Sequence, residues 1–393
     1  MPFAGVIKAG IPVSLTGQFQ VQGRQALTGM QAWVDDVNRA GGIFVKPGSA
    51  KLSLELLYHD DASVIRQVRM VTERLITQDG VDLLFGPYSS VLASASASVA
   101  EEHHRLMWNQ GGASDDIYQR GYRYVVGILT PATQYLAGLL PMIRLTDEKA
   151  ASVGIVRAST GAFPKAVSLG VEAEAESLGF RLDFVEEFEA SGDGKGKTDF
   201  VSLARKVARA APDVLVAVGR IANDISLARC LVDHRRSFKA VVVVATPIQQ
   251  FKDALGADAD GFLGPSQWEA VAPYLQDYGP STRQVLDSLV SRGGAKLDHS
   301  LVDYPMVQAY AAGVVAQRCV EAAGTLDNDG LRETAGALDF STFYGRFKID
   351  AATGRQVGRS VVLVQWQEGG KTVVWPAEQR QTALVYPWGL KTP

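Results

Sequence analysis

Two consecutive hydroxyls, Ser89 and Ser90, close the pentapeptide Gly86-Pro87-Tyr88-Ser89-Ser90. An apolar run, Val81-Asp82-Leu83-Leu84-Phe85, precedes them and reads as a buried strand. The Ala/Ser-rich stretch from Val91 reads as a helix. Hydroxyls at a strand-to-helix turn can do one kind of chemistry well. The first N–H groups of a helix have no partner inside it and carry partial positive charge. Such a turn takes a carboxylate or a phosphate. The plainer alternative is that Ser89 or Ser90 caps the helix.

Other residues invite chemistry less strongly. Ser191-Gly192-Asp193-Gly194-Lys195-Gly196-Lys197-Thr198 ends like a phosphate-binding loop, but Ser191 stands where the first glycine belongs. A loop with Thr198 or Asp199 as helix cap is the simpler expectation. Glu101 and His104 are one helical turn apart, yet the second half of a two-metal site is missing. A solvated helix end accounts for them, and no metal is expected. Asp60-Asp61 reads as a cap for the following helix. Arg220 ends an apolar strand. It would pair with a ligand carboxylate as a two-pronged donor, bridge two lobes, or lie on the surface. No Gly-x-Ser-x-Gly elbow and no zinc-protease histidine motif occurs. The spacing nominates no nucleophile–base pair, so an enzyme is not expected.

The elements that must hold these residues alternate strand and helix. Leu27, Met30, Val34 and Val37 recur at helical spacing before Gly41-Gly42. A strand at 52–58, a helix through Val64, Val68, Val71 and Leu75, the strand at 82–86 and a helix at 91–104 follow. Strands are expected at 106–109 and 122–126. A second series begins near Ala151, with strands at 153–157, 181–187, 213–218 and 241–244. Its helices span 165–178, follow Phe200, Leu203, Val207 and Ala210, then Ile221, Ile225, Ala228 and Val232. Helices at 281–292, 303–323 and 328–338 come next, and a strand-like tail covers 347–375. The fold class is α/β: two Rossmann-like lobes, each with a parallel sheet and helices on both faces. Ligands of such sheets gather beyond the C-terminal strand ends. Those turns fall at 14–17, 59–61, 86–90 and 109–114 in the first series. In the second they fall at 158–163, 219–220 and 246–247.

Composition narrows the class. The chain has 393 residues, 47% of them hydrophobic and 21% charged, as in globular proteins of one large or two ordinary domains. A net charge of −3 gives no reason to expect nucleic acid. No apolar stretch approaches the length of a membrane span. The two cysteines, Cys230 and Cys319, lie in separate helical patterns and read as free thiols. The chain enters a strand almost at once. Either it is cytoplasmic, or it is a mature chain with a start residue added.

In order, several segments form a recognisable set. They are Leu15-Thr16-Gly17, Asp36-Val37-Asn38-Arg39-Ala40-Gly41-Gly42-Ile43, the 86–90 turn and Gly111-Gly112-Ala113-Ser114. Phe340-Ser341-Thr342-Phe343-Tyr344-Gly345-Arg346-Phe347-Lys348-Ile349-Asp350 and the close through Val373-Val374-Trp375-Pro376 complete it. Over nearly its whole length the chain resembles the leucine/isoleucine/valine-binding type of periplasmic substrate-binding protein, the solute receptors of ABC importers.

The resemblance implies a non-catalytic, monomeric receptor without a cofactor. It implies a periplasmic or extracellular location, a removed signal or a lipid anchor, and membrane permease subunits as partners. It implies lobe one at 1–128 and 262–338, lobe two at 129–261 and 339–393, three crossovers and a ligand between the lobes. Carried over residue by residue, the ligand contacts would be Ser89, Ser90, Gly111, Ala113 and Ser114. Gln22 and Phe163 stand where amino-acid binders often carry tyrosines, and Arg220 falls in a second-lobe ligand turn. At Thr246, where such binders place an acid for the ammonium, the turn reads Ala245-Thr246-Pro247-Ile248-Gln249. The expected ligand is a small carboxylate-bearing solute: a branched-chain or other apolar amino acid, or an aromatic or aliphatic acid. The alternative is a ligand-sensing regulatory domain on the same fold.

Overall fold

The computed structural model describes residues 5–46, 51–190, 197–294 and 297–389. The chain forms two compact units, Met1–Pro131 with Tyr274–Arg359 and Ala132–Pro273 with Ser360–Pro393. In chain order the first stretch contains β1 (Val6–Val13), α1 (Gln20–Arg39), β2 (Ser53–Asp60), α2 (Ile65–Thr77), β3 (Leu83–Phe85), α3 (Ser90–Glu102), β4 (Met107–Asn109) and β5 (Val125–Gly127). Next come α4 (Leu139–Thr146), β6 (Ser152–Ala158), α5 (Ala162–Leu178), β7 (Arg181–Phe188), α6 (Phe200–Ala210), β8 (Val214–Val218), α7 (Ile221–Leu231), β9 (Ala240–Val243), α8 (Gln249–Leu255) and β10 (Leu263–Ser266). The chain closes with α9 (Thr282–Gly293), α10 (Tyr304–Ala323), α11 (Asn328–Ala337), β11 (Phe340–Thr342), β12 (Gly345–Phe347), β13 (Val362–Gln367) and β14 (Gly370–Trp375).

Among the described residues, the first unit carries a parallel sheet in the order β2-β1-β3-β4-β5. Its short central strands are buried on both faces, which explains runs such as Leu83-Leu84-Phe85. Helix α1 buries Trp33, at 1% exposure, and packs along α10. Tyr310 donates to Asp36 at 2.8 Å, and Gln25 donates to Asp303 at 3.0 Å. These bonds fix the two helices in register.

The second unit carries a sheet in the order β14-β13-β10-β9-β8-β6-β7. Its core is parallel, and β13 and β14 add an antiparallel edge. At one end of this unit Lys239 bridges Asp147 at 2.8 Å and Asp213 at 3.0 Å. Tyr386 donates to the same Asp147 carboxylate at 2.8 Å.

The unit boundaries differ from the expected 261/262 and 338/339. Leu263 pairs with Val242 in parallel, and β10 runs antiparallel to β13, so 262–273 stays in the second unit. The short sequence Leu-Gly-Pro-Ser gives little strand signal of its own. Residues 339–359 belong to the first unit. There the Asp277 and Tyr278 N–H groups donate to Ser341 O, each at 3.0 Å, and Tyr310 meets Phe343 edge-on at 5.7 Å. The strand expected at 122–126 is shorter, Val125–Gly127. Helices α4 and α8 have no counterpart in the sequence reading: α4 holds Pro141 in its first turn, and α8 is only seven residues long.

Cys230 and Cys319 are free thiols. The loop resembling a phosphate-binding motif lies at 191–196, outside the described residues. Just after it, Asp199 caps α6, accepting from the Val201 and Ser202 amides at 3.1 Å.

Candidate functional site

In the first unit the serine turn forms because β3 ends at Phe85 and α3 starts at Ser90. Ser89 is the cap: its φ of 84° and ψ of 141° are non-helical, and its Oγ accepts from the Leu92 N–H at 3.4 Å. Its own N–H donates to Gly111 O at 3.0 Å. Ser90 does something else. Its Oγ accepts from the Ala113 and Ser114 N–H groups, each at 3.1 Å. A hydroxyl oxygen has two acceptor positions and one proton. Both acceptor positions are therefore filled, and Ser90 can offer a ligand only its proton.

The second turn is braced from below. Asn109 donates to Gly112 O at 2.7 Å and accepts from Gly112 N–H at 2.9 Å. Gln110 donates to Gly86 O at 2.8 Å, tying the two turns together. Ser114 is 1% exposed, and its Oγ has no hydrogen-bond partner among the described residues. Ser89, Ser90, Gly111, Ala113 and Ser114 thus form one cluster. Gln22 lies buried in the first turn of α1.

Asp60 and Asp61 do not cap α2, whose N-cap is Val64. They hold the 14–17 loop instead. Asp60 accepts from the Leu15 N–H at 2.9 Å and the Thr16 hydroxyl at 2.8 Å. Asp61 accepts from the Ser14 hydroxyl at 2.6 Å and the Ser63 N–H at 2.8 Å. Burial pushes the Asp61 carboxyl above the usual carboxylate range, against those two bonds. Glu101 accepts from the Tyr124 N–H at 2.9 Å, a structural bond at the end of α3. Among the described residues no cluster of His, Cys, Asp and Glu has the composition to hold a metal ion.

In the second unit, Phe163 is half-buried in the first turn of α5, edge-on to Tyr135 at 5.1 Å. Arg220 is the N-cap residue of α7 and is half-buried. Thr246 is fully buried; its carbonyl accepts from the Trp366 indole at 2.8 Å, while its Oγ1 has no partner among the described residues.

An acid does reach the Thr246 turn, from a place the sequence reading passed over. Asp224, in α7, is 2% exposed, and its Oδ2 accepts from the Ala245 N–H at 3.2 Å. Burial holds its carboxyl well above the carboxylate range, the Ala245 and Gly219 amides pulling the other way. Asp224, Leu227, Ala228 and Leu231 share the buried face of α7. A polar residue at that spacing is the signal that marks it.

Two α/β units built on mainly parallel sheets, with a helix N-terminus and serine turn at the strand ends of one, define a two-unit binding-protein fold. The chain belongs to the periplasmic binding protein family, whose sequence profile matches residues 6–371. It is 24% identical over 401 residues to Leu/Ile/Val-binding protein homolog 8 of Brucella abortus, covering 94% of this chain and 90% of that protein. A leucine-binding protein from Thermotoga maritima superposes with a TM-score of 0.76 at 17% identity, over 93% of this chain and 97% of that one. A solute-binding protein of an ABC transporter from Rhodopseudomonas palustris HaA2, in complex with p-hydroxybenzoic acid, gives 0.76 at 18% identity, over 98% of each chain.

Proposed function

We propose that this chain is the solute receptor of an ABC importer, working in the periplasm or outside the cell with membrane permease subunits. In this reading the first unit holds the carboxylate of a small acid. The observation that carries it is the Ser90 hydroxyl. With both acceptor positions used by Ala113 and Ser114, it has only a proton to give, so its ligand atom must be an acceptor. The N-terminus of α3 adds partial positive charge that favours the same kind of ligand atom. Hydrogen bonds to a charged group contribute about 1.5–3 kcal/mol each, and the helix terminus adds roughly 0.3–1 kcal/mol. The relatives named above include a protein that binds leucine and one bound to an aromatic acid. Both solutes carry a carboxylate.

The test uses the whole chain, unfolded and refolded to remove any carried-over solute. Thermal shifts are measured with branched-chain amino acids, benzoate, hydroxybenzoates and the primary amide of each. Stabilisation grows with concentration over dissociation constant. Acids should raise the melting temperature and their amides should not. Amides that stabilise as well as the acids would overturn the carboxylate assignment.

A further inference from the structure

Both turns of the serine cluster are tied to α10, each by one side chain. In the first turn, the Tyr88 and Tyr304 hydroxyls share a hydrogen bond at 3.1 Å. In the second, Gln308 Nε2 donates to Gln110 Oε1 at 3.5 Å, the long limit for such a bond. Tyr304 and Gln308 are four residues apart, so they share one face of the helix. The start of α10 is itself held on α1: Gln25 donates to Asp303, and a Cβ on Gly29 would lie 2.0 Å from Met306 O. All of these residues belong to the first unit. Gln308 is fully buried, and so are its neighbours in sequence Met306, Val307, Ala309 and Ala311. A leucine would suit that setting, and a buried amide is costly unless it is bonded.

Tyr88 acts as a strut between α10 and the second turn. A Cβ on Gly111 would lie 2.5 Å from Tyr88 Cα, so the backbone at 88 bears directly on the turn after β4. The Tyr88 ring meets Phe19 edge-on at 6.1 Å, and its hydroxyl ends on Tyr304. Any drift of Tyr88 carries Ser89 and Ser90 with it. The bonds from the Ala113 and Ser114 amides to Ser90 Oγ must then lengthen. Gln308 braces the other side, because Gln110 immediately precedes Gly111 and also donates to Gly86 O. We infer that Tyr304 and Gln308 are positioning residues: they set the spacing of the two turns, and with it the aim of the Ser90 proton. They act through Tyr88 and Gln110, not by contact with the solute. This rests on the receptor reading above and extends its site to a helix more than two hundred residues away in sequence.

Two measurements on the full chain test the inference. The first is amide NMR without added solute, which reads the folded state and is blind to global stability. Tyr304→Phe keeps the ring and removes only the hydroxyl. The Ala113 and Ser114 amide protons should move upfield in this variant as their bonds to Ser90 lengthen. Tyr88→Phe should move them in the same way, and the double variant should add nothing, since both changes remove one shared bond. The second is calorimetry with benzoate, 4-hydroxybenzoate and L-leucine. Whichever of these acids binds the unaltered chain most tightly should lose about threefold or more in affinity in Tyr304→Phe and in Gln308→Leu. In a Ser90→Ala background neither change should cost more than about 1.5-fold further. Unmoved Ala113 and Ser114 resonances overturn the inference, and so does an unchanged affinity in both variants. A loss that persists in full with Ser90→Ala also overturns it, because Tyr304 or Gln308 would then act on the solute independently of Ser90. If the unaltered chain binds none of the acids, the receptor reading fails, while the resonances still decide whether α10 holds the two turns.

Discussion

Gly111 passes the Pro87 carbonyl so closely that a Cβ on it would lie 2.2 Å from that oxygen. The turn after β4 therefore rests directly on the backbone of the serine turn. The bond from Ser89 N–H to Gly111 O runs through the same contact. Gly111→Ala must push the two turns apart. The expected cost is about 1–3 kcal/mol, as for other overpacked sites, together with a weaker carboxylate ligand. Urea denaturation and calorimetry on one preparation check both. An unaltered unfolding midpoint would mean that the turns separate freely.

Ser90→Ala removes the shared acceptor of two buried amides. Each unpaired group costs roughly 1–3 kcal/mol when water cannot reach it. For the two amides together stability should fall by about 2–6 kcal/mol, less where water reaches them, and carboxylate affinity should drop several-fold. The two readouts separate the roles of this side chain. A stability loss with unchanged affinity would reduce Ser90 to a brace.

Asp61 supplies a pH signature. Its carboxyl is raised in the folded chain, by burial first. Below the ordinary carboxylate pKa both states hold the proton and nothing is lost. As pH rises through the raised value, the folded state must give up a proton that it holds more tightly than the unfolded state does. Stability then falls. Asp61→Asn cannot ionise. Relative to the unaltered chain, the variant should gain stability on going from about pH 4 to about pH 7. A constant difference across that window would show that Asp61 keeps an ordinary pKa.

The Lys239 bridge should act with the opposite sign. Hydrogen bonds from Lys239 and then Tyr386 lower the Asp147 pKa to about 2. The stabilisation is complete above the ordinary carboxylate range and is lost as pH falls toward about 2. The pair is partly exposed, so Lys239→Met should cost about 1 kcal/mol or less near neutrality. That cost should shrink in acid. Unfolding curves for both proteins across that range decide it, and a cost that grows in acid would contradict the assignment.

Much of this architecture is legible in the sequence because its determinants are local. The strand-to-helix turn at 86–90 and the glycine turn at 111–114 announce themselves through residue types that few other conformations need. The strand Leu-Gly-Pro-Ser at 263–266 does not, since its identity comes from pairing with Val242 and with β13 about a hundred residues later. The unit boundaries at Pro273 and Arg359 follow from that non-local pairing and from the anchoring of 340–347 against Tyr278 and Tyr310. Asp224 was hidden for a different reason. A stripe through Ile221, Ile225, Ala228 and Val232 looks like the inner face of α7, but the buried set is Asn223, Asp224, Ile225, Leu227, Ala228 and Leu231. Hydrophobicity alone phases a helix wrongly when a polar side chain is buried against a backbone amide, here that of Ala245.

The seating of α1 on α10 has a consequence for how the chain is made. Trp33 finds its cover on a helix that begins at Tyr304, so the first unit stays unfinished through most of synthesis. The second unit also waits, because β13 completes the edge of β10 only after Ser360 has emerged. Neither unit can be cut out as a continuous fragment. A ribosome stalled at Pro273 would display a first sheet with all its strands but without the helix that covers the Trp33 indole, and a second sheet still lacking β13 and β14, which makes this a chain that folds late and depends on its last hundred residues.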